Sequence, residues 1–285
     1  MTNKESSPGL FILTDTLMAE ILPYDLYDMG AVAVETRDNT TMNIPDQSDM
    51  TLLIAGFSDS EKRDAAKKTL MQSNKELLIE STQIEDDGWS EGWKRFFKPV
   101  ILDTMQVITP WMEPPHKNLN TIIIDPGQAF GTGGHATTRL ILSFLEKEDS
   151  IPDKILDVGT GSGVLSIACA KMGSSNITAF DIDENCKPAV LQNAAKNRVE
   201  KNIDAFTAEP KDISGKWPLV LANIQLAVFL KTAKEISALV EDGGKLIISG
   251  ILVDQLDDCI KLWPGFKVIR HEQEDEWIAL VLVKD

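Results

Sequence analysis

A chain of 285 residues, 43% hydrophobic and 25% charged, is composed like a globular protein and is long enough to bury two modest cores. Its 44 acidic against 28 basic residues leave a net charge of −16, a poor start for gripping nucleic acid, whose binding rests on Lys and Arg neutralising phosphates; a basic protein partner fits better, unless the acidity serves only solubility. Cysteines at 169, 186 and 259 and histidines at 116, 135 and 271 lie too far apart for a disulfide framework or a metal centre, and no apolar run approaches the roughly 18 residues of a membrane helix, so a cytoplasmic protein without metal is expected.

The opening MTNKESSPGLFILTDT holds a four-residue apolar patch, too short for the core of a secretory leader, and none is expected. Gly9–Leu13 reads as a strand, Thr14–Met29 as a helix bent at Pro23, and Ala31–Arg37 as a strand with alternating valines. Thr51–Phe57 is a further strand, Ser58 or Ser60 can cap a charged helix over Glu61–Ser73, and Leu77–Ile84 closes the set. The order β-α-β-β-α-β suggests a ferredoxin-like α+β domain over residues 1–84, a module of the kind that recognises a partner, although a fold alone assigns no function. Residues 85–105 follow as a connector in which Trp89, Trp93, Phe96 and Phe97 fall at helical spacing along one side. Burial between two domains explains these rings better than base stacking beside Lys94, Arg95 and Lys98.

A second domain is expected over residues 106–285. Val107–Trp111 and Leu119–Ile124 are candidate strands that lead into DPGQAFGTGGHATTRL, residues 125–140. Four glycines in those sixteen residues exclude a regular element, while Thr137 and Thr138 stand just before the apolar-periodic ILSFLEK, where they can cap a helix or help present backbone amides to a ligand. His135 is either a loop histidine with a backbone partner or a group with a chemical role.

Lys154–Asp183, KILDVGTGSGVLSIACAKMGSSNITAFDID, reads as strand, glycine turn, helix stopped at Gly173, and strand. Gly159, Gly161 and Gly163 let backbone N–H groups and the next helix N-terminus come close to a ligand. Asp181 ends the second strand eighteen residues beyond Gly163, where a carboxylate can accept from a pair of ribose hydroxyls. A dinucleotide fingerprint would need glycine where Val164 stands, so the turn points to a nucleoside without a pyrophosphate. The G-x-G-x-G spacing resembles the first motif of class I S-adenosylmethionine methyltransferases.

Downstream, Glu184–Asn197 reads as a helix, Ala205–Thr207 as part of a short strand, Pro218–Ile224 as a strand ending in Asn223, and Gln225–Val240 as a helix stopped near Gly243. The strand KLIISG, a helix over Asp254–Leu262 and a closing hairpin, PGFKVIRHE and WIALVLV, complete the chain. Strands alternating with helices imply an α/β doubly wound sheet with its ligand beyond the carboxyl ends of the strands, and Gly159, Asp181 and Asn223 all fall at such ends.

The loop DPGQAFGTGGHATT ahead of LDVGTGSG, with the W-x-x-x-W-K-x-x-F-K-P connector and the GAVAVE strand, resembles the ribosomal protein L11 methyltransferase (PrmA) family over nearly the whole chain. The resemblance implies a Rossmann-like seven-stranded methyltransferase sheet whose last strand is antiparallel, S-adenosylmethionine as cofactor, and methyl transfer to the lysine ε-amines and α-amine of a basic large-subunit ribosomal protein. Carried over by position, Thr138 with Thr137 beside it, Gly159, Gly161, Asp181 and Asn223 would hold the cofactor, and Asn223 would bridge to the incoming amine. The sequence continues N-I-Q after Ala222, not the N-P-P-Y of other amine methyltransferases, so an aromatic wall is not assured there. Only about one lysine in a few thousand is unprotonated at pH 7, so a dry pocket or a base must favour the neutral amine. Asp125 and His135 are the nearest candidates, deprotonation by solvent is the alternative, and no catalytic residue is assigned. A monomer is expected, with neither nucleic acid nor membrane among its partners. Another protein lysine or a small amine could be the acceptor, or the chain could be a non-catalytic S-adenosylmethionine binder, against which the intact glycines, Asp181 and Asn223 count.

Overall fold

The computed structural model describes residues 6–37, 50–73, 77–85, 98–125 and 133–285, which fall into two compact units, Met1–Phe97 and Lys98–Asp285. The connector aromatics Trp89, Trp93, Phe96 and Phe97, and loop positions 126–132, lie outside the described residues.

The first unit runs β1 (Ser6–Asp15), α1 (Thr16–Asp28), β2 (Ala31–Arg37), β3 (Met50–Phe57), α2 (Ser60–Ser73) and β4 (Leu78–Glu85). Its strands pair antiparallel in the order β2-β3-β1-β4. Period-2 alternation sends Leu10, Ile12, Leu53, Ala55 and Phe57 to one face, where Leu22 and Leu26 of α1 and Ala66 and Leu70 of α2 cover them. The cap of α2 is Asp59, not Ser58 or Ser60: Lys62 N–H donates to its Oδ1 at 2.9 Å and the Ser58 hydroxyl to its Oδ2 at 3.0 Å. A carboxylate serves better here because it also meets the positive end of the helix dipole.

The second unit opens with β5 (Val100–Ile101), β6 (Met105–Ile108) and β7 (Asn120–Ile123), with β5 antiparallel and β7 parallel to β6. Residues 98–105, assigned above to the connector, thus lie within this unit, and β6 stops short of Trp111. There follow α3 (Ala136–Glu146), β8 (Lys154–Val158), α4 (Val164–Lys171), β9 (Asn176–Asp181), α5 (Cys186–Asn197), β10 (Ile203–Thr207), β11 (Trp217–Asn223), α6 (Leu226–Leu239), β12 (Val240–Leu252), α7 (Leu256–Ile260), β13 (Phe266–Glu274) and β14 (Trp277–Lys284). The Glu146 carboxylate, at the end of α3, accepts from the N–H groups of Thr104 and Met105 at 2.7 and 2.8 Å and fixes the β5–β6 turn.

The seven strands order β10-β9-β8-β11-β12-β14-β13, parallel from β10 to β12, with β14 antiparallel to both its neighbours. This is the α/β sheet that the resemblance implies, including its reversed final strand. Ile155, Leu219, Leu221, Ile247 and Val281 pack with α3, α4, α5 and β7, while Leu156, Val158, Val220, Ala222, Ile248 and Leu280 pack with α6 and α7. Burial on both faces is why these strands read as unbroken apolar runs.

Two expected helix ends differ. Leu239 of α6 passes straight into Val240, extended at ψ 130, and Gly243 lies inside β12. The glycine stop is replaced by Lys284, whose Nζ donates to the carbonyls of Ser237 and Val240 at 2.8 Å each. The helix expected over 254–262 is split into a 3-10 turn, Val253–Gln255, and the short α7.

Helix α5 ends on Arg198, held left-handed at φ 60 and ψ 36. That conformation costs an L residue about 1–2 kcal/mol, part of which glycine gives back as unfolded-state entropy. Arg198→Gly is therefore expected to stabilise the protein by about 1 kcal/mol and raise Tm by roughly 2–4 °C by calorimetry; an unchanged or lower Tm would contradict this reading.

Candidate functional site

Gly159, Gly161 and Gly163 take φ values of +69, +53 and +84, a left-handed succession that other residues resist. Space is the second constraint, since a Cβ on Gly159 would lie 2.5 Å from Ile224 Cγ2. The N–H groups of Gly159 and Thr160 both donate to the Phe180 carbonyl, at 2.9 and 3.0 Å, and tie the turn to the end of β9. Beneath it Asp157 is buried, its Oδ2 accepting from the hydroxyls of Ser166 at 2.6 Å and Thr160 at 2.7 Å, while its Oδ1 has no partner among the described residues. Burial pushes this carboxyl up from its ordinary value, and the two hydroxyls pull it partly back.

Asp181, the last residue of β9, accepts from Gly161 N–H at 3.0 Å through Oδ2 and from Asp183 N–H at 3.1 Å through Oδ1. Both oxygens are oriented by backbone, yet a carboxylate has about four acceptor positions, so capacity remains for two further donors. Burial, followed by the charge of Asp181, pushes the Cys186 thiol up to about 12. Next in sequence stands Ile182, 72% exposed and the most exposed large apolar side chain among the described residues. The sequence reading did not single it out.

Asn223 ends β11, and its Nδ2 donates to Oγ1 of the buried Thr138 at 3.2 Å. Two predicted site residues 85 positions apart are thereby joined. The backbone just after Asn223 passes so close to β12 that a Cβ on Gly250, at φ +84, would lie 2.5 Å from the Ile224 carbonyl oxygen. Gly250 also escaped the sequence reading, although a glycine inside the apolar run KLIISGIL is the usual mark of a close backbone approach. Where an aromatic wall was left unassured, the side chain beside the turn is Ile224, packed against Gly159. Since β8 lies between β9 and β11, the glycine turn, Asp181 and the Asn223–Thr138 pair line one end of the sheet.

Neither threonine caps α3. The N-cap is His135, whose Nδ1 accepts from the Thr137 N–H at 3.4 Å and contacts Thr137 Oγ1 at 2.9 Å. In the neutral ring assigned from these contacts, Nδ1 is the acceptor and Nε2 carries the hydrogen, which leaves no basic nitrogen for a substrate proton. The ring stands edge-on to Trp277 with centroids 4.9 Å apart. Desolvation, then the Arg139 charge, holds the imidazole below its ordinary value against the opposing charges of Glu276 and Glu274. The other candidate base, Asp125, is paired through Oδ2 with Lys196 Nζ at 2.8 Å. Both nearest bases are committed elsewhere.

Two outcomes follow from this geometry. Gly250→Ala is expected to displace the Asn223–Ile224 backbone and reduce ligand binding and Tm together; Gly173→Ala, where a Cβ meets nothing within 4 Å, should lower Tm alone. Equal ligand binding by the two variants would contradict it. For His135, a folded pKa below the unfolded value of about 6.5 means that its cap stabilises at pH above that value and is lost as pH falls through the lowered pKa. The imidazolium would also oppose the helix dipole. His135→Asn keeps an acceptor that does not titrate, so Tm measured from pH 7.5 down to about 5 should fall less steeply than in the wild type; parallel curves would refute the cap assignment.

Residues 10–285 match the family described as Ribosomal protein L11 methyltransferase (PrmA). A ribosomal protein L11 methyltransferase of Sorangium cellulosum is 36% identical over 240 residues, covering 82% of this chain and 76% of the relative. One from Lactobacillus helveticus is 30% identical over 292 residues, covering 92% of this chain and 93% of the relative. Among solved structures, a ribosomal protein L11 methylase from Lactobacillus delbrueckii subsp. bulgaricus is similar with a TM-score of 0.61 at 29% identity, over 66% of this chain and 99% of that one.

Proposed function

The chain belongs to the ribosomal protein L11 methyltransferase family, and from that premise we propose that it transfers methyl groups from S-adenosylmethionine to amines of ribosomal protein L11, the lysine ε-amines and the N-terminal α-amine. The observation that carries this reading is the alignment, along one end of the sheet, of the glycine turn and Asp181 with the Thr138–Asn223 pair.

These residues suit the cofactor. The left-handed glycines bring backbone close without side-chain bulk, Asp181 has capacity for both ribose hydroxyls, and Ile182 offers an exposed apolar surface to a purine face. Asp157 Oδ1, without a partner among the described residues, adds a buried acceptor beneath the turn. S-adenosylmethionine supplies a methyl group already activated on a sulfonium. The protein's task is then alignment and exclusion of water. Asn223, with its amide nitrogen on Thr138, keeps its Oδ1 as an acceptor that can orient an amine hydrogen. With His135 and Asp125 committed to other partners, the amine loses its proton to solvent before it enters.

The first unit is assigned to recognition of the ribosomal protein, and the net charge of −16 favours a basic substrate. Among the described residues no helix is long and apolar enough to cross a membrane, consistent with a reaction in the cytoplasm.

Titration calorimetry with S-adenosylmethionine tests the ribose assignment: Asp181→Ala is expected to weaken binding by about tenfold or more, the worth of hydrogen bonds to a charged acceptor. Incubation with purified L11 and cofactor should yield methylated lysine and N-terminal peptides by mass spectrometry. Unchanged affinity in the variant would remove the Asp181 role, and unmodified L11 the substrate.

A further inference from the structure

Helix α5 carries two buried asparagines one turn apart, in the run N-A-A-K-N. Asparagine is a poor helix-interior residue, and a buried amide without partners is costly, so the bonds of this pair are informative. The Ile123 N–H donates to Asn197 Oδ1 at 2.9 Å, while Asn197 Nδ2 donates to the Ile123 carbonyl at 2.7 Å. The Asp125 N–H donates to Asn193 Oδ1 at 2.9 Å. Four helical residues advance about 6.0 Å and two strand residues about 6.6 Å, so amides at i and i+4 match alternate residues of an extended strand. The pair stands where a further strand would stand, on the open edge of β7 in the order β5-β6-β7.

The two asparagines then part company. Beyond Ile123, the Asn197 amide bonds, among the described residues, only to the carbonyl of Asn193 in its own helix, at 2.8 Å. Asn193 Nδ2 instead donates to the Ser162 carbonyl at 3.0 Å, between Gly161 and Gly163 of the turn. One side chain therefore holds the peptide at the centre of the glycine turn and, through its other atom, the residue at which the chain leaves β7 for the glycine-rich segment that ends at His135.

We propose that Asn193 is a positioning residue for cofactor binding, coupling the glycine turn to the start of the glycine-rich segment, whereas Asn197, on the same helix face and strand edge, contributes stability alone. The inference rests on the reading that the turn binds S-adenosylmethionine. The Ser162 carbonyl that Asn193 holds lies one residue beyond the Gly161 N–H that donates to Asp181, so releasing it is expected to loosen the turn and with it the ribose carboxylate.

S-adenosylhomocysteine is the probe, with affinity from calorimetry and Tm from thermal melting. Asn193→Ala and Asn197→Ala should lose similar Tm. Asn193→Ala should bind about tenfold more weakly and show a matching rise in KM for S-adenosylmethionine, while Asn197→Ala stays within about threefold of wild type, a difference of the size expected for coupled sites. Equal losses of affinity in the two, or wild-type affinity in Asn193→Ala, would overturn the proposal. Should Asn193→Ala fail to fold, Asn193→Asp keeps the acceptor for Asp125 N–H and removes the donor to Ser162; it too should bind weakly, and unchanged affinity would overturn the proposal. Amide exchange on the wild-type protein adds an independent arm: S-adenosylhomocysteine should slow exchange at Asp125, and protection confined to Gly161 would count against the coupling. Wild-type protein that bound no S-adenosylhomocysteine would remove the cofactor reading and this inference together, whereas normal wild-type binding with indifferent Asn193 variants would remove the inference alone.

Discussion

The hydrogen bond from Gly161 N–H to the Asp181 carboxylate fixes how far the glycine turn stands from the end of the neighbouring strand, and the rest of the site is arranged around that distance. It exists because β8 and β9 are parallel neighbours, so the turn leaving one strand and the carboxylate ending the other emerge side by side. Strands buried on both faces hold this spacing rigidly, since a one-residue slip would exchange their two apolar faces between unlike sets of helices. A carboxylate oriented by two backbone N–H groups is preorganised for a diol.

The same end of the sheet accepts unfavourable backbone conformations. Gly159, Gly161, Gly163 and Gly250 are all left-handed, and at Gly159 and Gly250 a methyl group would collide with Ile224. Ile224 follows Asn223 directly, so the two close approaches fix where Asn223 leaves its strand and allow it to reach Thr138. Adherence to glycine there reflects crowding around one short segment between β11 and α6. The family relationship supplies the substrate class, and the geometry supplies the reason these residue types occur at these positions.

Local signals made most of the fold legible. Apolar runs bounded by glycine, proline or asparagine marked the strands, and the alternating glycines marked the turn because left-handed backbone selects for glycine. Two of the failures come from distant residues and one from a local competition. The end of α6 depends on Lys284, 47 positions from Ser237, and the cap of α3 went to His135, whose ring is set against Trp277 from a distant strand. At α2 a carboxylate outcompeted two nearby serines. The candidate site was half legible: Asp181 and the glycines follow from spacing, whereas Thr138 and Asn223 came from family resemblance, and their contact could not be read from residues 85 apart. Ile182 and Asn193 were missed because their roles depend on surroundings that only the folded chain provides, whereas Gly250 left a signal in the sequence, a glycine inside an apolar run.

The account is tested most directly by a crystal structure of the protein with S-adenosylhomocysteine. It requires both ribose hydroxyls on the Asp181 carboxylate, the purine over Ile182, and the sulfur turned toward the Asn223–Thr138 pair. A nucleoside bound elsewhere, or with its ribose away from Asp181, would contradict it.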